Sequence, residues 1–313
     1  MGPNSSELPT PLRGIIPPLV TPLLDRDTLD TAGLNRLIEH VLAGGVHGLF
    51  ILGTTGEAPS LSYRLRYDLI DRVCGQVAGR VPVLVGITDT SFVESIRIAG
   101  KAKDAAAQAV VLAPPYYFPA GQMELLEYLR HLTAELPLPV FLYNMPTHTK
   151  LVFELETIRA AADLPGVEGI KDSSGDMMYF RQLQALLRDH PDFSVLMGPE
   201  ELLAEAILLG GHGGVAGGAN LLPALYVELY NAACSKDLPK VEELHAKVME
   251  LSNSIYHVGL YQSSFLKGLK CALSCVGICS DFMAEPFHRF RQAEHEVIER
   301  YVEELGITRP GGD

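Results

Sequence analysis

The chain has 313 residues, with 38 acidic against 25 basic side chains for a formal net charge of −13, and it is 47% apolar and 20% charged. That length suits one large α/β domain or two ordinary ones, and the composition excludes collagen, a coiled-coil rod and wholesale disorder. An acidic balance without a basic run argues against nucleic acid as a partner, and the absence of any apolar window of about 18 residues argues against a membrane span.

Residues 1–13 are expected to be a flexible start. Met1-Gly2-Pro3-Asn4-Ser5-Ser6 lacks the basic and apolar regions of a secretory signal, and Pro3 spoils its fit to a myristoylation pattern. From residue 14 onwards, short β-branched runs alternate with segments of helical periodicity. Strands are predicted at 14–21, 48–52, 82–86, 109–112, 139–143, 167–171, 194–197 and 213–215. Helices fall between them, among others at 31–43, 91–104, 122–135, 176–188 and 200–209. Eight such units predict an α/β fold, a (β/α)8 TIM barrel over 14–235, in preference to a doubly wound sheet. Thereafter the pattern is purely helical, at 223–233, 238–256, 265–276 and 286–305. With no linker or break in composition, residues 236–308 are read as a C-terminal helical region packed on the barrel, and 309–313 as a frayed tail.

The five cysteines, Cys74, Cys234, Cys271, Cys275 and Cys279, form an odd, uneven set, read as reduced thiols of a cytoplasmic protein. The last three repeat every four residues and so share one helical face. No histidine or fourth cysteine completes a metal set in that spacing, nor is it a common iron–sulfur one, so no metal is expected.

In a barrel of this kind, reactive groups stand at the C-terminal ends of the strands. Val167-Glu168-Gly169-Ile170-Lys171-Asp172 puts Lys171 there, pointing into the barrel mouth. Desolvation would free its amine for imine formation with a carbonyl substrate; the alternative is a structural lysine paired with Glu168 or Asp172. Gly53-Thr54-Thr55-Gly56-Glu57 ends the second strand with hydroxyls and backbone N–H groups together. This suits a carboxylate or oxyanion, or it is a plain tight turn. Tyr143 ends the fifth strand and Tyr117 follows the fourth; a phenol near an amine and a hydroxyl can shuttle protons. Of the histidines, His148 and His212 fall in loops assigned to the active face, with His212 read as a turn residue.

Gly53-Thr54-Thr55-Gly56-Glu57, Tyr143-Asn144-x-Pro146, Gly169-Ile170-Lys171-Asp172 and Gly210-Gly211-His212-Gly213-Gly214-Val215 resemble, in order and spacing, the dihydrodipicolinate synthase and N-acetylneuraminate lyase family of class I aldolases. The resemblance covers about 14–305. It implies a (β/α)8 barrel with a C-terminal helical region, a homotetramer, and catalysis without metal or organic cofactor. It also implies that Lys171 forms an imine with pyruvate or another 2-keto acid and that Tyr143 is the acid and base. Thr54 and Thr55 would hold the carboxylate, and Thr54 would relay protons between Tyr143 and Tyr117 of a neighbouring subunit.

Departures from the pattern bear on the second substrate. His148 stands where the synthases carry an arginine for the carboxylate of aspartate semialdehyde, and an imidazole does not reproduce a bidentate guanidinium. Glu200 and Glu201 match acids that bind sugar hydroxyls in the sialic acid lyases, Ser173 matches their threonine, and Gly217 replaces their serine. Gly53, Gly198 and Val215 complete the expected substrate-binding set. The leading expectation is therefore a lyase or dehydratase of a hydroxylated 2-keto acid, and dihydrodipicolinate synthesis is the alternative. Readings of a different class are a non-catalytic barrel or one that holds a phosphorylated ligand at the glycine-rich segment 210–218.

Overall fold

The computed structural model describes residues 8–308, so the expectations for 1–7 and 309–313 lie outside the described residues. Eight parallel strands form the barrel wall: β1 Gly14–Ile15, β2 Leu49–Ile51, β3 Val83–Gly86, β4 Ala109–Leu112, β5 Val140–Asn144, β6 Val167–Asp172, β7 Ser194–Met197 and β8 Gly213–Gly214. Each of β2 to β7 pairs with the next, β8 joins β7, and β1 lies beside β8. The ring closes where Pro18 bridges Phe50, the Leu19 N–H donating to the Phe50 carbonyl at 2.8 Å and the Phe50 N–H to that of Pro17 at 3.0 Å. Only two residues of the predicted first strand are regular, because Pro17 and Pro18 have no N–H to give to a ladder. The structure is thus the (β/α)8 barrel that the alternating pattern predicts.

The helices α1 Thr31–Ala43, α2 Tyr63–Val77, α3 Phe92–Asp104, α4 Gln122–Glu135, α5 Leu155–Ala162, α6 Met177–Leu186, α7 Leu203–Leu208 and α8 Pro223–Ser235 follow the strands in turn. Side-chain alternation along the strands makes two apolar layers. Val140 and Leu142 of β5 face the helices, in the outer layer with Ile170 of β6. Phe141 and Tyr143 face inward with Phe50, Leu84, Val111, Leu196 and Val215. Below them Leu12 and Ile16 plug the floor, and the Leu12 N–H donates to Ser194 Oγ at 2.9 Å. Leu12 is buried, so the inner end of the expected flexible start is instead packed into the barrel.

The glycine-rich segment divides between the two ends of the barrel. The His212 carbonyl accepts from the Gly14 N–H at 3.0 Å, and its Nδ1 from the Val195 N–H at 3.0 Å. His212 therefore precedes β8 at the floor, with Gly210 and Gly211, and only 217–218 reach the mouth; the assignment of His212 to the active face is corrected, and the segment is no continuous phosphate cradle.

After α8 come α9 Leu238–Ile255, α10 Ser264–Cys275 and α11 Gln292–Glu304, with α9 packed on α8 and α11 packed on both α9 and α10. The chain leaves α10 through Gly277, whose φ of 72° is open to glycine at little cost. Cys279 thereby departs from the helical face it was expected to share with Cys271 and Cys275. Among the described residues no helix is long and apolar enough to cross a membrane.

Candidate active site

Lys171 is inward-facing on β6 and 6% exposed, with its Cα in register between Tyr143 of β5 and Leu196 of β7. Its Nζ lies 4.2 Å from the centroid of the Tyr143 ring and 5.4 Å from that of Phe50. Neither Glu168 nor Asp172 forms an ion pair with it. Asp172 points to the opposite face of β6, where its Oδ1 accepts from Asn144 Nδ2 at 2.9 Å and from the Ser174 N–H at 3.1 Å, and its Oδ2 from Ser174 Oγ at 3.0 Å. Among the described residues Lys171 forms no ion pair.

The Tyr143 hydroxyl lies 3.3 Å from Thr54 Oγ1. Its ring is held edge-on against Phe50 at 6.4 Å, and behind it Asn144 ties β5 to Asp172 of β6. Asn144 Oδ1 also accepts from the Phe153 N–H at 3.1 Å, so both strand ends under the amine and the phenol are fixed by one buried amide. Burial raises the pKa of Asp172, opposed by the hydrogen bonds from Asn144 and Ser174.

The threonine turn is built under constraint. Leu52 adopts φ 58°, a conformation that costs an L residue on the order of 1–3 kcal/mol. Its carbonyl lies so close to Gly86 that a Cβ there would come within 2.0 Å of the oxygen. The far end of the turn is held by Glu57, whose Oε1 accepts from Lys270 Nζ at 2.7 Å and Oε2 from the Ala284 N–H at 2.7 Å. Both partners of this ion pair are buried, and Lys270 also donates to the Thr21 carbonyl at 2.9 Å. Thr21 Oγ1 in turn donates to the Gly56 carbonyl at 2.7 Å. Thr55 is buried and Thr54 half-buried, so the Gly53–Thr55 stretch faces the mouth from a rigid base. Asn144, Asp172 and Glu57 stand in the motifs without a supporting role assigned to them, and Lys270 is the supporting residue that sequence reasoning missed. Lysines amid the largely apolar stretch Leu266–Leu273 of α10, Lys267 and Lys270, were the available signal.

Elsewhere the expected set divides. Gly198 sits against Ser173, where a Cβ would meet the Ser173 Oγ at 1.9 Å, and its N–H donates to the Asp172 carbonyl at 2.7 Å. Val215 lines the barrel interior, and Gly217 packs against the Phe265 ring, 2.8 Å from where its Cβ would stand. His148 is exposed on the single turn Pro146–Thr149; partial burial, then the charges of Lys150 and Lys171, lower its pKa. Tyr117 is 75% exposed, edge-on to Phe118 at 5.1 Å, and no hydrogen bond links it to Thr54 within the chain.

Glu200 and Glu201 are both engaged by the C-terminal part of the chain. Glu200 is buried: its Oε1 accepts from the hydroxyls of Tyr226 and Tyr256, the latter at 2.7 Å, and its Oε2 from the Gly218 N–H at 2.7 Å. Glu201 Oε1 accepts from Ser252 Oγ of α9 at 2.6 Å. The 3-10 turn Glu200–Leu202 directs both acids toward the C-terminal helices, where Tyr226 of α8, Ser252 of α9 and Tyr256 engage them.

Burial pushes the Glu200 carboxyl up to about 7, against the lowering effect of its three donors. Protonated Glu200 is therefore favoured in the folded chain relative to the unfolded one, whose carboxyl titrates near 4.5. Its contribution to stability is full below about 4.5 and is lost as pH rises through about 7. Denaturant melts of the wild type and Glu200→Gln across this window are expected to show the wild type alone losing this increment; parallel pH profiles would contradict it.

A parallel eight-stranded barrel with an unpaired lysine beside a tyrosine and a threonine at its C-terminal mouth has the architecture of a class I, imine-forming aldolase. Residues 11–305 match the model of the dihydrodipicolinate synthetase family. The 4-hydroxy-tetrahydrodipicolinate synthase of Methanopyrus kandleri is 31% identical over 304 residues, covering 96% of this chain and 99% of its own. The solved dihydrodipicolinate synthase of Bacteroides thetaiotaomicron superposes with a TM-score of 0.93 at 58% identity, over 95% of this chain and 99% of that one. YagE, a prophage protein of the dihydrodipicolinic acid synthase family from E. coli K12 solved with pyruvate, superposes at 0.89 with 28% identity, over 94% and 99% of the two chains. The chain belongs to the dihydrodipicolinate synthetase family and is a lyase of the class I aldolase type.

Proposed function

We propose that the chain condenses pyruvate with a short amino-acid semialdehyde, as a 4-hydroxy-tetrahydrodipicolinate synthase. The observation that carries the chemistry is Lys171 Nζ beside the Tyr143 ring, with the Tyr143 hydroxyl 3.3 Å from Thr54 Oγ1. The amine attacks C2 of pyruvate, the carbinolamine loses water, and the resulting imine withdraws electrons so that C3 gives up a proton and becomes an enamine. C3 then bonds to the aldehyde carbon of the second substrate, and hydrolysis of the imine returns the amine. Tyr143 and Thr54 move the protons at each stage, and Thr55 with the backbone N–H groups of the turn receives the pyruvate carboxylate.

For the second substrate, this reading replaces the hydroxylated 2-keto acid favoured on sequence. Both acids on which a sugar chain would depend are engaged by the C-terminal helices, and the relatives from Methanopyrus kandleri and Bacteroides thetaiotaomicron carry the synthase name. In this reading His148, at the position of the synthases' arginine, faces the second carboxylate. Tyr117 acts in this reading when a second copy of the chain delivers it, which accords with a homotetramer.

The test is a direct comparison of rates: condensation of pyruvate with aspartate semialdehyde, against release of pyruvate from N-acetylneuraminate and from 2-keto-3-deoxy sugar acids. Condensation is expected to dominate, and His148→Arg to lower KM for the semialdehyde roughly tenfold by adding a charge-assisted hydrogen bond. Faster cleavage of a sugar acid would overturn the synthase reading and restore the lyase.

A further inference from the structure

Cys271 and Cys275 stand one turn apart on α10, and α11 brings His295 against them. Their ligand atoms, two Sγ and one imidazole nitrogen, all lie within 4.8 Å of one another, with Cys275 Sγ 3.9 Å from His295 Nε2. A tetrahedral zinc ion with Zn–S near 2.3 Å and Zn–N near 2.0–2.1 Å sets ligand-to-ligand edges of about 3.6–3.8 Å. One edge thus lies within a few tenths of an ångström of that spacing, and the others need a shift of about 1 Å or less. The ordinary role of buried thiols is to act as small apolar side chains. That accounts for Cys271, which is 1% exposed, but not for a half-buried thiol facing the nitrogen of a half-buried histidine on another helix.

The surroundings favour a cation. Asp281 and Glu299 act electrostatically on both thiols; Asp281 is shared with Arg289 at 3.2 Å, while Glu299 stands one turn beyond His295 on an exposed face. The linear spacing hid this arrangement, because the histidine arrives from twenty residues further on.

We propose that Cys271, Cys275 and His295 bind a thiophilic divalent cation of the zinc class, with the fourth position open to water. Each thiol gives its proton to solvent as its sulfur bonds the metal, so two protons leave per ion and the two thiolates balance the charge of the cation. The ion would clamp α10 to α11 beside Lys270, the anchor of the threonine turn.

Metal-free full-length protein is to be titrated with Zn2+ by calorimetry and with Co2+ by absorption. One equivalent per chain is expected, with a thiolate-to-cobalt charge-transfer band and the visible bands of a tetrahedral ion. Cys234→Ala, which removes the exposed thiol outside the cluster, is expected to change neither signal. Cys275→Ala and His295→Ala are each expected to weaken Zn2+ binding by more than the 10- to 100-fold that loss of an outer-shell partner costs. Should Cys275→Ala fail to fold by circular dichroism, His295→Ala decides. Absence of the charge-transfer band in the wild type, or equal Zn2+ affinity in wild type and His295→Ala, would overturn the proposal.

Discussion

Lys171→Ala is expected to lower turnover by about 10^4-fold or more while the chain still folds. Imine formation needs an amine free of carboxylate partners, and Asp172 is turned to the opposite face of the strand, held by Asn144 and Ser174. The other lysine buried near the threonine turn is committed elsewhere, with Lys270 Nζ on Glu57 and on the Thr21 and Phe282 carbonyls. Lys270 is therefore not available to replace Lys171 as the imine-forming amine. Lys171→Arg is expected to fail as badly, because a guanidinium stays protonated and does not attack a carbonyl. Steady-state rates, with circular dichroism as the check on folding, decide the matter; residual activity above a few per cent would contradict the assignment.

Lys270→Met is expected to cost about 3–5 kcal/mol of stability and to reduce activity as well. A buried ion pair need not stabilise a protein relative to a well-packed apolar pair, but removing one partner strands the other. Glu57 would keep only the Ala284 N–H, an uncompensated charge at the base of the turn that carries Thr54 and Thr55. Lys270→Met with Glu57→Gln is expected to recover much of the loss, since no buried charge then remains unpaired. Denaturant unfolding measures both; a loss below about 1 kcal/mol in the single variant would show that Glu57 finds water or another donor.

The barrel was legible in the sequence because each strand is a short apolar run and each intervening helix has its own stripe. The two poorly defined strands were harder: Pro17 and Pro18 remove donors from the first, and two glycines carry no pattern for the last. Lys171, Tyr143 and Thr54 were legible because polar residues that interrupt the end of an apolar run have few places to go but the mouth. The contacts of Glu200 and Glu201 were not legible, since adjacency in sequence does not reveal which way a 3-10 turn aims its side chains. The contacts that decide their roles come from Tyr226, Ser252 and Tyr256, far along the chain. The same distance hid Lys270 from Glu57 and His295 from Cys275, pairs joined only when the C-terminal helices dock.

Class I chemistry requires a covalent imine between pyruvate and one lysine. Incubation with pyruvate and borohydride, followed by peptide mass spectrometry, is expected to find a reduced adduct on Lys171 and none on Lys270 or in Lys171→Ala. Folded wild-type protein with excess pyruvate and no adduct on Lys171, or an adduct that persists in Lys171→Ala, would contradict it.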